Sequence, residues 1–272
     1  MKTVAIFGIP IARIAEAEAV ERIIQAAKAR RAAPQARPGP FLVATLNVDF
    51  VCNAVRGWPF GGNDELLGYL KDADMVTADG MPIVMLSRFL GSPIPERVTG
   101  ADMVPEICRR AAEEGLSIYV LGGDKGAVEE ALVKMGWDPA TGKARDGGRP
   151  PLKIAGIDNA FVDPDGDQTG IVGRINAAKP DILVLALKHP KQELWLGRNA
   201  AALDANVAIG VGGTFNFIAG RVRRAPKWVQ RSGLEWIYRI IQEPCRLWRR
   251  YAYGLVKFSW LALRLILGGC RK

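Results

Sequence analysis

The 272-residue sequence has a single histidine, His189, and four cysteines that never fall within a C-x-x-C pair. The first scarcity excludes His-rich metal clusters and any Ser-His-Asp arrangement built on another histidine. The second offers neither a zinc site nor a disulfide framework, and fits a reducing compartment. No G-x-G-x-x-G follows the first strand-like segment, so a dinucleotide-dependent oxidoreductase is a poor match. The N-terminus has no apolar run of signal-peptide length. Near the other end, Leu255 to Leu267 is shorter than the roughly 20 apolar residues of a membrane span, and Lys257 and Arg264 interrupt it. Mean hydropathy is near neutral at +0.06. With 49% hydrophobic and 24% charged residues the composition is that of a folded chain.

Positive charge is abundant in one place. Residues 221–272 carry 13 Lys/Arg against two acids, a net +11, while the remainder has 24 against 26 and is near −2. Such a block is an electrostatic footprint for phosphate-bearing partners: an anionic membrane face, a diphosphate or nucleic acid. No base-reading motif accompanies it, which argues against nucleic acid.

Strand-like and helical patterns alternate. Strands are expected at Val4–Ile9, Phe41–Leu46, Met75–Thr77, Ser117–Leu121, Asp181–Leu187 and Val207–Val211. Helices are expected at Ala15–Arg31, Leu66–Leu70, Pro82–Leu90, Gly100–Glu114, from Gly126 to about Met135, Ile171–Ala178 and Gln192–Asp204. Ala32 to Pro40 is a proline-rich break, and Lys143 to Pro151 a Gly/Pro/Arg loop. This order predicts an α/β fold with a mostly parallel sheet covered on both faces.

In such sheets ligands sit at the carboxyl ends of the strands. Thr45, Asn47, Asp79, the turn Gly122 to Gly126, Lys188 to Gln192, and Gly210 to Thr214 all fall there. The Gly122 turn has two readings, a phosphate cradle at a helix start or a plain tight turn; the same holds for the turn containing Gly212. Asp79 is either a general base or the cap of the helix near Pro82. Gly80 lets backbone approach a ligand closely. Three Asp-x-Asp patterns occur, beginning at Asp72, Asp163 and Asp165. The last two sit in a turn-like stretch, and Arg174 stands where an EF-hand loop would end in Glu. No metal site is expected.

Four segments occur in order: Ala78-Asp79-Gly80-Met81-Pro82; Glu96-Arg97-Val98-Thr99-Gly100; Pro190-Lys191-Gln192-Glu193; and Arg224-Ala225-Pro226-Lys227-Trp228, running on through Leu234-Glu235-Trp236 and Gln242-Glu243-Pro244. With these the chain, from about Ile6 to Tyr251, resembles the WecG/TagA/CpsF family of bacterial glycosyltransferases. The resemblance implies a Rossmann-like catalytic core, here residues 1–220, and a basic helical appendage meeting the membrane, residues 221–272. It implies inverting transfer from a UDP-sugar donor to a polyprenyl-diphosphate-linked saccharide, for surface polysaccharide synthesis, with no bound metal or other cofactor. It makes Asp79 the candidate base and Arg97 the candidate neutraliser of the departing UDP, since the guanidinium fork matches phosphate oxygens; a salt bridge to Glu96 or Asp102 is the other reading of Arg97. Thr45 and Asn47 match the family's Thr-x-Asn pair, as hydroxyl-binding groups or turn caps. Gln192 becomes a candidate for the sugar or uracil. His189 stands where the family has a small residue, either tuning the donor pocket or lying in a surface loop.

Within the basic segment, Arg221, Arg224, Arg231 and Arg239 are candidates to clamp UDP or acceptor phosphate. Arg246, Arg249, Arg250, Tyr253, Lys257 and Arg264 fall at helical spacing, with Leu247, Trp248, Leu255, Phe258, Trp260, Leu261, Leu265 and Ile266 supplying apolar bulk. That pattern suits an in-plane helix on the anionic cytoplasmic face of the inner membrane, or an ordinary helix covering the core.

Overall fold

The computed structural model describes residues 1–33 and 39–269, except the side chains of Arg231 and Arg246. The expected break at Ala32 to Pro40 falls largely outside the described residues.

The first half contains β1 (Thr3–Ile6), β2 (Ile9–Ala12), α1 (Glu16–Ala32), β3 (Phe41–Leu46), α2 (Val48–Ala54), α3 (Asp64–Asp72), β4 (Met75–Ala78), α4 (Met81–Phe89) and α5 (Gly100–Glu113). The chain continues with β5 (Ser117–Gly122), α6 (Ala127–Met135), β6 (Lys153–Asp158), α7 (Thr169–Ala178), β7 (Ile182–Ala186), α8 (Lys191–Asn199), β8 (Val207–Gly210) and α9 (Thr214–Ile218). It closes with α10 (Lys227–Arg231), α11 (Glu235–Gln242) and α12 (Pro244–Gly269).

One eight-stranded sheet has the order β1-β2-β4-β3-β8-β7-β5-β6. Among the described strands of this sheet only the β1–β2 pair is antiparallel. The central strands β3, β4, β7 and β8 are apolar and buried almost throughout, as parallel strands covered on both faces must be. One face packs against α2, α3, α7, α8 and part of α12, through Phe50, Leu66, Leu70, Ile175, Trp195, Phe258 and Leu261. The other packs against α1, α5, α6 and α9, through Ile23, Ile24, Met103, Ile107, Ala131 and Phe215. The expected fold class is therefore the observed one.

Three expectations need correction. Val4–Ile9 is not one strand: Phe7 and Gly8 take positive φ of 55° and 77°, turning the chain into the β1–β2 hairpin. Lys153–Asp158 forms an unforeseen strand beside β5. The basic residues of α12 do not share an outward face. With a step of about 100° per residue, Leu247, Lys257, Phe258 and Leu261 turn inward, while Trp248, Leu255, Val256 and Leu263 turn outward. Lys257 is 1% exposed, and its ammonium donates to the carbonyls of Cys52 and Gly61. Arg250 pairs with Asp49 on α2. No described helix is long and apolar enough to cross a membrane.

Candidate active site

The site begins where β3 and β4 end side by side. Their parallel register runs from Val43–Met75 to Leu46–Ala78, and the Asp79 amide continues it by donating to the Leu46 carbonyl at 2.8 Å. Val98 then adds an extended residue on the other side of β4, its amide donating to Ala78 at 2.9 Å. Thr77 anchors the same residue, its hydroxyl donating to the Val98 carbonyl at 3.3 Å. Backbone hydrogen bonds thus fix where Asp79 and Arg97 leave the chain.

Asp79 does not cap α4. The N-cap is Gly80, no side chain caps the helix, and Pro82 occupies its first turn, where a missing N–H costs little. Among the described residues the half-buried Asp79 carboxylate has no hydrogen-bond partner. Loss of hydration pushes its pKa up to about 7; Arg97 draws it down, Glu235 raises it, and Arg224 and Asp102 act more weakly in the same two senses. An acid poised near neutrality is matched to accepting and releasing a proton.

Arg97 pairs with neither Glu96 nor Asp102. Its Nη1 donates to Glu235 Oε2 at 2.5 Å and its Nη2 to Gln230 Oε1 at 2.9 Å. Glu96 instead accepts from the Glu16 amide, and Asp102 receives Arg224 bidentately at 2.6 and 2.7 Å. Two ion pairs therefore cross between core and C-terminal segment in opposite senses, one arginine from each side.

The remaining sequence-derived candidates are placed as follows. Thr45 donates to the Gly210 carbonyl at 2.9 Å, tying β3 to β8. Asn47 caps α2, its Oδ1 accepting from the Asp49 and Phe50 amides, and among the described residues its side-chain NH2 has no hydrogen-bond partner. Gly80 lies close to Asn47, where an added Cβ would be 3.5 Å from Asn47 Cα. Gly122 has φ +87°, which side chains rarely adopt, and a Cβ there would sit 3.0 Å from the Ala186 carbonyl oxygen of β7, so the position favours glycine. Gln192 is 2% exposed, accepts from the Gly212 amide at 3.0 Å and donates to Glu193. Arg221 is held bidentately by Glu130 at 2.8 Å and overhangs Gly126. Arg239 lies over the Phe217 ring at 5.3 Å. The Arg231 side chain is outside the described residues.

His189 is not a surface-loop residue. It stacks on Phe50 with centroids 4.0 Å apart, and its ring nitrogens bridge Asn53 at 2.8 Å and Glu193 at 2.9 Å. The acids of the Asp163 to Asp167 stretch have protein partners: Asp163 and Asp167 accept from nearby backbone amides, and Asp165 pairs with Arg198.

Sequence reading missed Glu235 and Gln230 as neighbours of Arg97. The pattern carried no signal for them beyond their place in the Lys227–Gln242 stretch.

Asp79 and Arg97 thus stand together at the carboxyl ends of a parallel sheet, where ligands of such folds bind. The chain belongs to the Glycosyl transferase WecG/TagA/CpsF family, whose profile it matches over residues 4–271. It is similar to an N-acetylglucosaminyldiphosphoundecaprenol N-acetyl-beta-D-mannosaminyltransferase of Bacillus spizizenii, with 31% identity over 212 residues, 78% of this chain and 74% of that protein. A protein of the same name from Bacillus subtilis is 28% identical over 209 residues, 77% of this chain and 74% of its own length.

Proposed function

We propose that this glycosyltransferase moves a sugar, with inversion, from a UDP-sugar to a saccharide carried on a polyprenyl diphosphate, at the cytoplasmic face of the inner membrane. The observation that carries the reading is the Asp79 carboxylate, which does not cap α4 and lies with Arg97 at the ends of β3 and β4; burial pushes its pKa up to about 7. Asp79 accepts the proton of the acceptor hydroxyl as that oxygen attacks the anomeric carbon. The bond from that carbon to the UDP oxygen breaks on the opposite face, and its electron pair leaves with UDP. Arg97 offsets the charge that develops there. Thr45, Asn47 and Gln192 line the same strand ends and are assigned to donor hydroxyls or base. Arg224, paired with Asp102, and Arg239 are assigned to phosphate. The names of the relatives support an N-acetylmannosaminyl donor and an acceptor of N-acetylglucosamine on undecaprenyl diphosphate.

The acceptor's lipid stays in the bilayer, so the enzyme has to come to the surface. The outward stripe of α12, with Trp248, Leu255, Val256 and Leu263, together with Trp58 at 81% exposure, supports interfacial docking. The Trp58 carbonyl accepts from Trp260 at 2.9 Å, so the two elements are joined. The +11 segment supplies attraction to anionic lipid. Charge neutralisation by arginine needs no metal, and a chelator is expected to leave the rate unchanged; loss restored by added manganese or magnesium would refute this. The deciding experiment is a donor screen with a synthetic polyprenyl-diphosphate-linked N-acetylglucosamine, read by mass spectrometry. Transfer of a single sugar from a UDP-sugar is expected, and none from any donor overturns the reading.

A further inference from the structure

We propose that Glu235, supported by Gln230, is the positioning residue that orients Arg97 for the departing phosphate, so that the C-terminal segment sets the pose of a residue belonging to the core. The inference rests on the role given to Arg97 above.

An arginine side chain has many rotamers, and fixing it costs side-chain entropy. Backbone contacts at Val98 hold only the Cα of Arg97. What fixes its guanidinium is the C-terminal segment, at two points on two different nitrogens. The pair is largely enclosed, with side-chain exposures of 14% for Arg97 and 19% for Glu235, so it is less screened than a surface pair. Gln230 is itself fixed, because its Nε2 donates to the Ala225 carbonyl at 2.7 Å and leaves Oε1 as the acceptor facing Arg97. Glu235 opens α11, where a carboxylate suits the positive end of the helix dipole.

The number of partners distinguishes Arg97 from its neighbour more than the number of donors used. A guanidinium offers five N–H groups. Arg97 gives two to these partners and retains three. Arg224 presents both terminal nitrogens to Asp102, one of them also at 3.4 Å from Thr99, in a closed fork-to-fork pair. Arg97 is therefore held from two residues with three donors left for phosphate, while Arg224 is held by a single carboxylate and keeps at least two.

The charged groups around Asp79 are Arg97 and Asp102 from the core and Arg224 and Glu235 from the C-terminal segment. Removing the Glu235 charge takes away one influence that raises the Asp79 pKa. The acid limb of the rate profile should then move to lower pH with the melting temperature kept; loosening of α11 would also hydrate Asp79 and move the limb the same way, but would lower the melting temperature.

The test uses the full chain with UDP-N-acetylmannosamine and short-chain polyprenyl-diphosphate-linked N-acetylglucosamine. Glu235→Gln, Glu235→Asp, Arg97→Ala and the Arg97→Ala/Glu235→Gln double variant are compared in kcat, KM, pH profile, UDP affinity by calorimetry and thermal stability. Glu235→Gln is expected to lower kcat/KM by roughly 10- to 100-fold, the range for a hydrogen bond to a charged group, with its acid limb at lower pH. Glu235→Asp is expected to recover part of the loss. In the Arg97→Ala background Glu235→Gln should cost little more, because both act through one guanidinium. A Glu235→Gln enzyme with wild-type kcat/KM and an unmoved acid limb overturns the proposal, as does the same penalty with and without Arg97. If the wild-type chain binds UDP and transfers the sugar while those results are obtained, only the positioning role fails. If the wild-type chain does neither, the role of Arg97 fails and takes this inference with it.

Discussion

The strand ends and the C-terminal helices meet at one site but are held by different forces. Asp79 and Val98 are fixed by main-chain hydrogen bonds that continue the β-ladder. The segment from Arg224 through α12 is docked through side chains: Glu235 and Gln230 on Arg97, Arg224 on Asp102, Arg250 on Asp49, Lys257 on two carbonyls, and Phe258 and Leu261 in the core. A ladder is nearly indifferent to which side chain a residue carries. A side-chain contact is lost with one substitution. The catalytic half of the site should therefore be robust in position and sensitive in chemistry, and the C-terminal half the reverse.

The largest expected effect tests the chemistry of the first half. Asp79→Asn should lower turnover by about 10²–10⁴, the range for a general base, with UDP affinity kept. It should not unfold the protein. Between pH 3.8 and about 7 the folded wild type holds a proton that the unfolded chain has released, so stability falls as pH rises through that window. The asparagine variant lacks that loss, and its Tm should exceed the wild type's at pH 8 with the gap closing toward pH 4. Wild-type turnover, or a Tm depressed at every pH, would contradict the assignment.

Next comes the outer face of α12. Leu255→Glu with Leu263→Glu should weaken partition onto anionic vesicles by roughly 10² or more, from the transfer free energy of two leucines. The melting temperature should stay near wild type, since both side chains are at least half exposed. Deleting the helix would not make the same separation, because Phe258 and Leu261 are core residues. Equal vesicle binding by wild type and variant would assign this stripe another role.

Smaller effects compare the two kinds of attachment. Lys257→Ala leaves the buried Cys52 carbonyl and the part-buried Gly61 carbonyl without their donor, at about 1–3 kcal/mol. Hydrogen exchange should quicken in α12 while the β3 and β4 amides keep their protection. Asn47→Ala removes the α2 cap and should cost about 0.5–2 kcal/mol. This loss, on the core side, should appear as a lower urea midpoint for the whole molecule. If both variants loosened only their own helix, the contrast between the regions would dissolve.

What could be read in the sequence follows the same division. Strands β3, β4, β5, β7 and β8 announce themselves as apolar runs between turns, and with them the positions of Thr45, Asp79 and Gln192. The β1–β2 hairpin did not, because Phe7 adopts a positive φ that aromatic residues rarely take. Helix α2 was hidden by its brevity, although Asn47 followed by Asp49 is a start signal. The partners of Arg97 were beyond reach, since Gln230 and Glu235 lie 133 and 138 residues away and no local periodicity links them. Helix α12 shows the limit most clearly. Its amphipathic pattern was visible, but which charges would be drawn inward depended on the carbonyls of Cys52 and Gly61.

The bond between Lys257 and Cys52 joins residues 205 positions apart. On the ribosome, β3, β4 and α2 are complete long before their covering helix exists. Domains are made from the N-terminus at about 5–20 residues per second, so this face of the sheet waits on the order of ten seconds or more for α12. During that interval the apolar surface around Phe50 and Val51 is open to misplaced partners. The covering helix is thus made well after the strands it protects, and a chain stalled or clipped before α12 would present a nearly complete sheet with one sticky side, a natural substrate for chaperones and proteases.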